Sequence, residues 1–292
     1  MRVSVAGYLS LDDLVCPAGT FQGVPGGGGL YAALAAARAG AETQLIAKVG
    51  SDFPESVLRA LPPLGVTIDQ VVRDRGASRR AVLMEPVAHV SQRLSPTHGA
   101  ATWWDRTEAL APLPPSRLEA DLLILTPMPP SIAARWLPVA RKAEARIALD
   151  TSTAFAATEP PSVCAAAAAA DIFAPSAEEI ACLAPGRDPD AARAELAALS
   201  PVFLEKRGKE GARLWRDGAM IADLPSRAGE VRDATGAGDA LMAAFAVAMA
   251  GGLDAEVALA AGLDMAALVV SDVGPAAFGV PLGEVESTSH AH

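Results

Sequence analysis

The 292-residue sequence predicts an α/β fold built around a parallel sheet with helices on both faces. Three observations carry that prediction. From Asp121 to Lys206, short apolar runs alternate with helix-forming stretches, the rhythm of βαβ units. Hydrophobic residues make up 51% of the chain and aromatic ones only 4%, so the apolar content is mostly Ala, Leu and Val, suited to helices packed closely on a sheet. Finally, two glycine-rich stretches each stand directly before an Ala-rich helical segment, at Pro25–Gly29 and at Gly236–Gly238.

Arg2–Leu9 (RVSVAGYL) reads as a buried first strand running into Ser10–Asp13, where a carboxylate at a strand's carboxyl end can meet a ligand. Val15–Val24 reads as a connector. The four glycines Gly26–Gly29 bring backbone close to something ahead of the helix Leu30–Ala39; a hinge is the plainer reading. Glu42–Val49 and Val66–Val72 are predicted strands, with a helix over Phe53–Ala60 between them. Arg79–Met84 and Val87–Leu94 are short β candidates with no helix between, which suggests an antiparallel flap. Trp103 and Trp104 read as packing residues.

In the second half the predicted strands are Asp121–Leu125, Arg146–Asp150, Asp171–Ala174 and Val202–Lys206. Helices are predicted at Pro130–Ala143, Val163–Ala170, Ala177–Leu183 and Pro189–Leu199. A hairpin turns at Asp217–Gly218, and two helices start near Ala237 and Asp254. The organisation expected is one domain over residues 1–292, with lid segments at about 13–24 and 77–102 and a flexible tail over 284–292.

A net charge of −10 argues against general nucleic-acid or anionic-membrane binding. Cys16, Cys164 and Cys182 form no CxxC pair, and the start MRVSVAGYLS lacks a signal-peptide pattern, so a reducing, cytoplasmic setting is expected. No membrane span is expected, and the four histidines show no ligand spacing. Chemistry concentrates in Asp233–Ala240 (DATGAGDA). Its glycines can present backbone N–H groups to an anion at a helix start, with Asp239 as a carboxylate beside it. Such a cradle suits phosphoryl transfer to a hydroxyl. A turn that only caps a helix fits these eight residues equally well.

In the order of these signals the chain resembles the PfkB/ribokinase family of carbohydrate kinases over almost its whole length. The resemblance implies a ribokinase-like three-layer α/β/α sandwich with a small β-sheet lid. It implies that Gly236, Ala237 and Gly238 form the anion hole and that Asp239 is the catalytic base. Asp12 then matches the aspartate that closes the family's first strand and binds sugar hydroxyls, and Gly26 and Gly27 match its sugar-contacting glycine pair. Gly28 and Tyr31 stand where ribokinase-like sequences carry Lys and Asn, which places Tyr31 among the substrate-binding candidates and argues against a ribokinase proper. Lys48–Phe53 matches a recurrent G-x-V-G-x-D-x-F/P stretch. Ser176 and Glu179 fit an Asn-x-x-Glu motif with Ser for Asn, implying that Glu179 serves Mg²⁺ through water. Lys206, Gly208 and Gly211 match the nucleotide loop, and Val270–Pro275 the far wall of the adenine pocket. Asp233, Thr235 and Gly274 are implied at a monovalent-cation site, K⁺. The expected activity is ATP-dependent transfer to a sugar or polyol, with a homodimer through the flap as an option. The alternatives are a nucleoside kinase and a kinase-like protein that binds without catalysis.

Overall fold

The computed structural model describes residues 1–84, 93–94, 106–282 and 286–288. In chain order, β1 (Arg2–Ala6) leads into a hairpin of β2 (Ser10–Cys16) and β3 (Gly19–Gly26). There follow α1 (Gly28–Arg38), β4 (Glu42–Val49), α2 (Glu55–Ala60), β5 (Val66–Arg73), β6 (Val82–Met84) and β7 (Arg93–Leu94). The second half runs β8 (Leu122–Leu125), α3 (Pro130–Lys142), β9 (Arg146–Leu149), α4 (Thr153–Thr158), α5 (Pro160–Ala167), β10 (Ile172–Phe173), α6 (Ala177–Leu183), α7 (Pro189–Ala197) and β11 (Val202–Lys206). The chain closes with β12 (Ala212–Arg216), β13 (Ala219–Leu224), α8 (Ala237–Ala250), α9 (Ala255–Val270) and β14 (Glu286–Thr288).

Nine strands form the central sheet in the order β13-β12-β11-β10-β9-β8-β1-β4-β5. The seven from β5 to β11 are parallel, and the β12–β13 hairpin adds an antiparallel edge. Its turn has positive φ at Asp217 (50°) and Gly218 (78°), the pair that a tight two-residue hairpin demands. Strands covered on both faces need side chains that are apolar throughout, and all four residues of β8 (LLIL) are buried. One face carries α1, α8 and α9 around Leu30, Leu34, Met242 and Phe245. The other carries α3 to α7 around Trp136, Phe155 and Phe173. Strand order reverses between β1 and β8, so loops at their carboxyl ends diverge and leave a crevice there.

A second sheet, ordered β14-β3-β2-β6-β7, forms the lid. Val15–Val24 is not a connector: β2 and β3 pair antiparallel from Ser10 to Gly26, so the lid begins before residue 13. The paired aspartates Asp12 and Asp13 broke the alternation that marks a strand, and both are satisfied locally. Asp12 accepts from Ser10 Oγ at 2.7 Å, and Asp13 accepts from the Gly23 amide at 2.9 Å. β6 joins β2 in parallel and β7 in antiparallel fashion, so the flap is mixed. Within the tail expected to be flexible, Glu286–Thr288 pairs antiparallel with the outer edge of β3. Within 77–102, residues 85–92 and 95–102 lie outside the described residues, as do Trp103, Trp104, all four histidines and tail residues 284, 285 and 289–292. Among the described residues, no helix is long and apolar enough to cross a membrane.

Candidate active site

Gly236 is the N-cap of α8 and adopts a left-handed conformation, φ 77°. That geometry turns the chain so that Ala237, Gly238 and Asp239 fill the first helical turn, whose N–H groups have no acceptor within the helix. The Ala237 amide reaches the Ala234 carbonyl at 3.3 Å and the Asp239 amide lies against its own carboxyl, so the Gly238 amide stands between them at the helix mouth. Asp239 Oδ1 is buried and has no hydrogen-bond partner among the described residues. Burial raises its carboxyl to about 7, with Asp150 adding to the shift and Lys206 opposing it. A carboxyl held near neutrality can take a proton in one step and release it in the next.

The glycine stretch faces this turn. α1 starts at Gly28 directly opposite Asp239: a Cβ on Gly28 would lie 2.4 Å from Asp239 Oδ1 and 3.1 Å from Thr126 Cβ. The missing side chain is therefore what lets the two helix starts meet. Gly27 has φ 95°, and a Cβ there would strike the Tyr8 carbonyl at 2.4 Å. Gly26 lies against Asp12, a Cβ at that site falling 2.6 Å from Asp12 Oδ2. Asp12 itself is on β2 of the lid and not at the end of β1, which stops at Ala6. It is 3% exposed, accepts from the Ala81 amide at 3.2 Å, and burial raises it to about 7.

Tyr31 is 1% exposed and its ring backs the anion turn: a Cβ on Gly236 would lie 2.1 Å from Tyr31 Cγ. Its hydroxyl is buried without a hydrogen-bond partner among the described residues. Burial drives the phenol well above its ordinary pKa, with the charges of Asp233, Asp12 and Asp239 adding to the shift. Tyr31 thus lies within electrostatic reach of both the lid carboxylate and the helix-start carboxylate.

Lys206 ends β11 and donates to both oxygens of Asp150, at 2.7 and 2.5 Å. Burial alone would pull the ammonium down, but Asp150, Glu179 and Asp239 push it up, and the net shift is upward. Lys206 also runs under the anion turn, since a Cβ on Gly238 would lie 3.5 Å from its Nζ. Glu179 closes a capping box at the start of α6: its Oε2 accepts from the Ser176 amide at 2.6 Å while Ser176 Oγ accepts from the Glu179 amide at 3.2 Å. Burial raises Glu179 to about 8, against the opposing charge of Lys206. Gly208 (φ 54°) is exposed and Gly211 (φ 96°) is buried, where a Cβ would strike the Leu224 carbonyl at 2.0 Å. The Arg207 amide donates to the Gly211 carbonyl at 2.9 Å and closes this loop.

Asp233 is 1% exposed. It accepts from the Thr235 amide (2.9 Å), Thr235 Oγ1 (2.5 Å) and the Gly274 amide (2.7 Å). Three of about four lone-pair sites on this carboxylate are thereby engaged by neighbouring groups. Mg²⁺ keeps most of its waters and asks for few protein ligands. A buried Glu179 with one oxygen engaged in the capping box fits that demand, and the helix mouth fits the phosphates that would bring the ion.

Two residues of this site were not singled out from sequence. Asp150 carried a signal, a carboxylate directly after the apolar run RIAL at a strand's carboxyl end. Arg79 carried none: it is 2% exposed, its guanidinium lies 3.8 Å over the Tyr8 ring, and burial pulls it down to about 10 while Tyr8 and Asp12 pull the other way.

Comparisons with known proteins bear on this geometry. The family profile described as "pfkB family carbohydrate kinase" matches residues 4–281. A cytidine kinase of Thermococcus kodakarensis is 25% identical over 288 residues, covering 92% of this chain and 96% of that protein. The bifunctional protein HldE of Azorhizobium caulinodans is 40% identical over 92 residues, 30% of this chain and 19% of that one, so the match spans about a fifth of HldE. A solved E. coli structure holding ATP and Mg²⁺ superimposes with a TM-score of 0.73 at 18% identity, covering 96% of each chain, a likeness of fold.

Proposed function

Because the chain belongs to the pfkB family of carbohydrate kinases, phosphotransferases with an alcohol group as acceptor, we propose that it transfers the γ-phosphoryl group of ATP to a hydroxyl of a sugar or sugar-like polyol. The observation that carries this reading is Asp239: a buried, unpartnered carboxylate oxygen at a helix mouth, held near neutrality and facing a glycine-lined gap.

In this reading the acceptor lies along Gly26 and Gly27, with two of its hydroxyls donating to Asp12 and the Tyr31 phenol completing the acceptor side. Asp239 Oδ1 takes the proton of the attacking hydroxyl as its oxygen bonds to the γ-phosphorus and the bond to the β,γ-bridging oxygen breaks, leaving ADP. The amides of the Gly236–Gly238 turn and the Lys206 ammonium meet the charge on the transferred group. The loop containing Gly208 and Gly211 carries the nucleotide phosphates, with Thr235 and Gly274 lining the nucleotide side through Asp233. Bound through water beside Glu179, Mg²⁺ would neutralise charge on the phosphates. The lid hairpin donates from the Ala18 amide to the Arg232 carbonyl at 3.1 Å, one residue before Asp233, so the lid reaches the anion turn and can exclude water from it.

A nucleoside acceptor is the second reading, favoured by the near full-length likeness to a cytidine kinase. Binding without catalysis is disfavoured by the intact Asp239 and its anion turn. ATP consumption measured over a panel of sugars, polyols and nucleosides tests all three readings together. Turnover on nucleosides alone selects the second, and binding of ATP with no turnover on any acceptor selects the third. A K⁺ requirement at Asp233, a cytoplasmic location and a lid-mediated homodimer belong to the same proposal. KCl replacement by choline chloride reads the first and sedimentation velocity the last.

A further inference from the structure

Asp150 has no part in the reading above, yet it is the partner of Lys206, which lies beneath Gly238. Its side chain is 1% exposed, and Oδ1 accepts both its neighbour's amide (Thr151, 2.8 Å) and Lys206 Nζ (2.7 Å), while Oδ2 accepts Lys206 Nζ at 2.5 Å. The two residues close adjacent regions of the sheet, Asp150 just past β9 and Lys206 at the end of β11, with only β10 between. Both therefore point into the same carboxyl-end crevice from fixed strands. A lysine ammonium sits on a four-carbon stem that samples many rotamers, and a ligand that must freeze it loses affinity in doing so. A carboxylate that takes two of its hydrogen bonds removes that freedom before the ligand arrives.

Stability does not account for the pair. A buried ion pair is often no better than an apolar pair of the same volume, because desolvating both charges offsets their attraction. The groups facing Lys206 are Asp150, Glu179 and Asp239, three carboxylates around one ammonium, an arrangement that suits the arrival of phosphates with their cation better than an empty fold. We propose that Asp150 is a positioning residue: it holds the Lys206 ammonium beneath Gly238, so that the phosphate site carries a pre-oriented cation. This rests on the kinase reading, and it names how that site is prepared.

The test is calorimetric titration of ATP with Mg²⁺, and no acceptor, into the full chain and its Asp150→Asn, Lys206→Thr and doubly substituted forms. If Asp150 acts through Lys206, each single change weakens ATP about ten- to a hundred-fold, the range of a charge-assisted hydrogen bond. The double change is then no weaker than Lys206→Thr alone. Losses that multiply, or an Asp150→Asn protein that binds ATP as the unaltered chain does, overturn the proposal. Should Asp150→Asn not fold, Asp150→Ser takes its place in the same cycle and is read by the same criteria. An unaltered chain that fails to bind ATP overturns the kinase reading itself, and this proposal with it.

Discussion

Asp239 and Tyr31 each bury a polar atom with no hydrogen-bond partner among the described residues, and side by side behind one glycine-lined gap such atoms are what a ligand would satisfy. The two make different predictions. Asp239→Asn removes the proposed base while keeping the shape, so turnover should fall by about 10²–10⁴-fold with ATP affinity retained. Its melting temperature at pH 8 should hold or rise, because a buried charge is gone. Near-normal turnover of this variant would refute the assignment of the base. In the unaltered chain the base must be ionised, and with a carboxyl held at about 7 the rate constant kcat/KM should fall as pH drops through that value. A pH–rate profile that is flat from 6 to 8.5 contradicts this. Tyr31→Phe keeps the ring behind Gly236 and deletes only the orphan hydroxyl. Thermal stability should be unchanged or slightly higher, while the acceptor KM rises about tenfold and the ATP affinity stays put. An unchanged acceptor KM would make Tyr31 a packing residue.

The two helix starts, α1 and α8, define the site, and their glycines are constrained in different ways. Gly236 has φ 77° and also lies against the Tyr31 ring, whereas Gly252, just past α8, has φ 86° with nothing within 4 Å of a Cβ. Gly252→Ala should therefore cost only the left-handed strain, about 1–2 kcal/mol. Gly236→Ala adds the collision and should lower the melting temperature further, with phosphate affinity falling as α8 shifts. Equal melting temperatures for the two variants would mean that the ring yields freely. Elements with strong local signals were legible in the sequence: the βαβ rhythm after Asp121, the hairpin at Asp217–Gly218, and α6, where Ser176 and Glu179 stand three apart as a capping box. The β2–β3 hairpin was not. Its strand character depends on partners such as the Arg79 and Ala81 carbonyls, which accept from the Leu11 and Asp13 amides at 2.9 and 2.8 Å from a stretch nearly seventy residues away. Asp150 was missed for the same reason: its meaning lies in Lys206, 56 residues further on.

Across the whole molecule, the buried carboxyls tie stability to pH in a direction opposite to that of an ordinary salt-bridged protein. Asp12 lies on β2 of the lid and Asp239 in the first turn of α8, and burial raises both to about 7 from the 3.8 of a free aspartate. Between those two values the folded chain binds protons that the unfolded chain has released. The stability these groups contribute is therefore full below pH about 4 and is lost as pH rises through 7. In Mg²⁺-free buffer and without nucleotide, the chain should melt at a lower temperature at pH 8.5 than at pH 6. Asp12→Asn and Asp239→Asn should each reduce that difference. Glu179, raised to about 8 from the 4.5 of a free glutamate, adds to the same slope, while Arg79 opposes the shift of Asp12 and Lys206 those of Asp239 and Glu179. Adding ATP with Mg²⁺ at pH 8.5 should recover more stability than adding it at pH 6. The nucleotide's cation favours the ionised carboxyl that the empty fold resists, so melting curves with and without ATP and Mg²⁺ at the two pH values read the coupling directly. A melting temperature that rises from pH 6 to 8.5 in the free chain would show that the crevice is open to water, with its carboxyls ionised at ordinary cost.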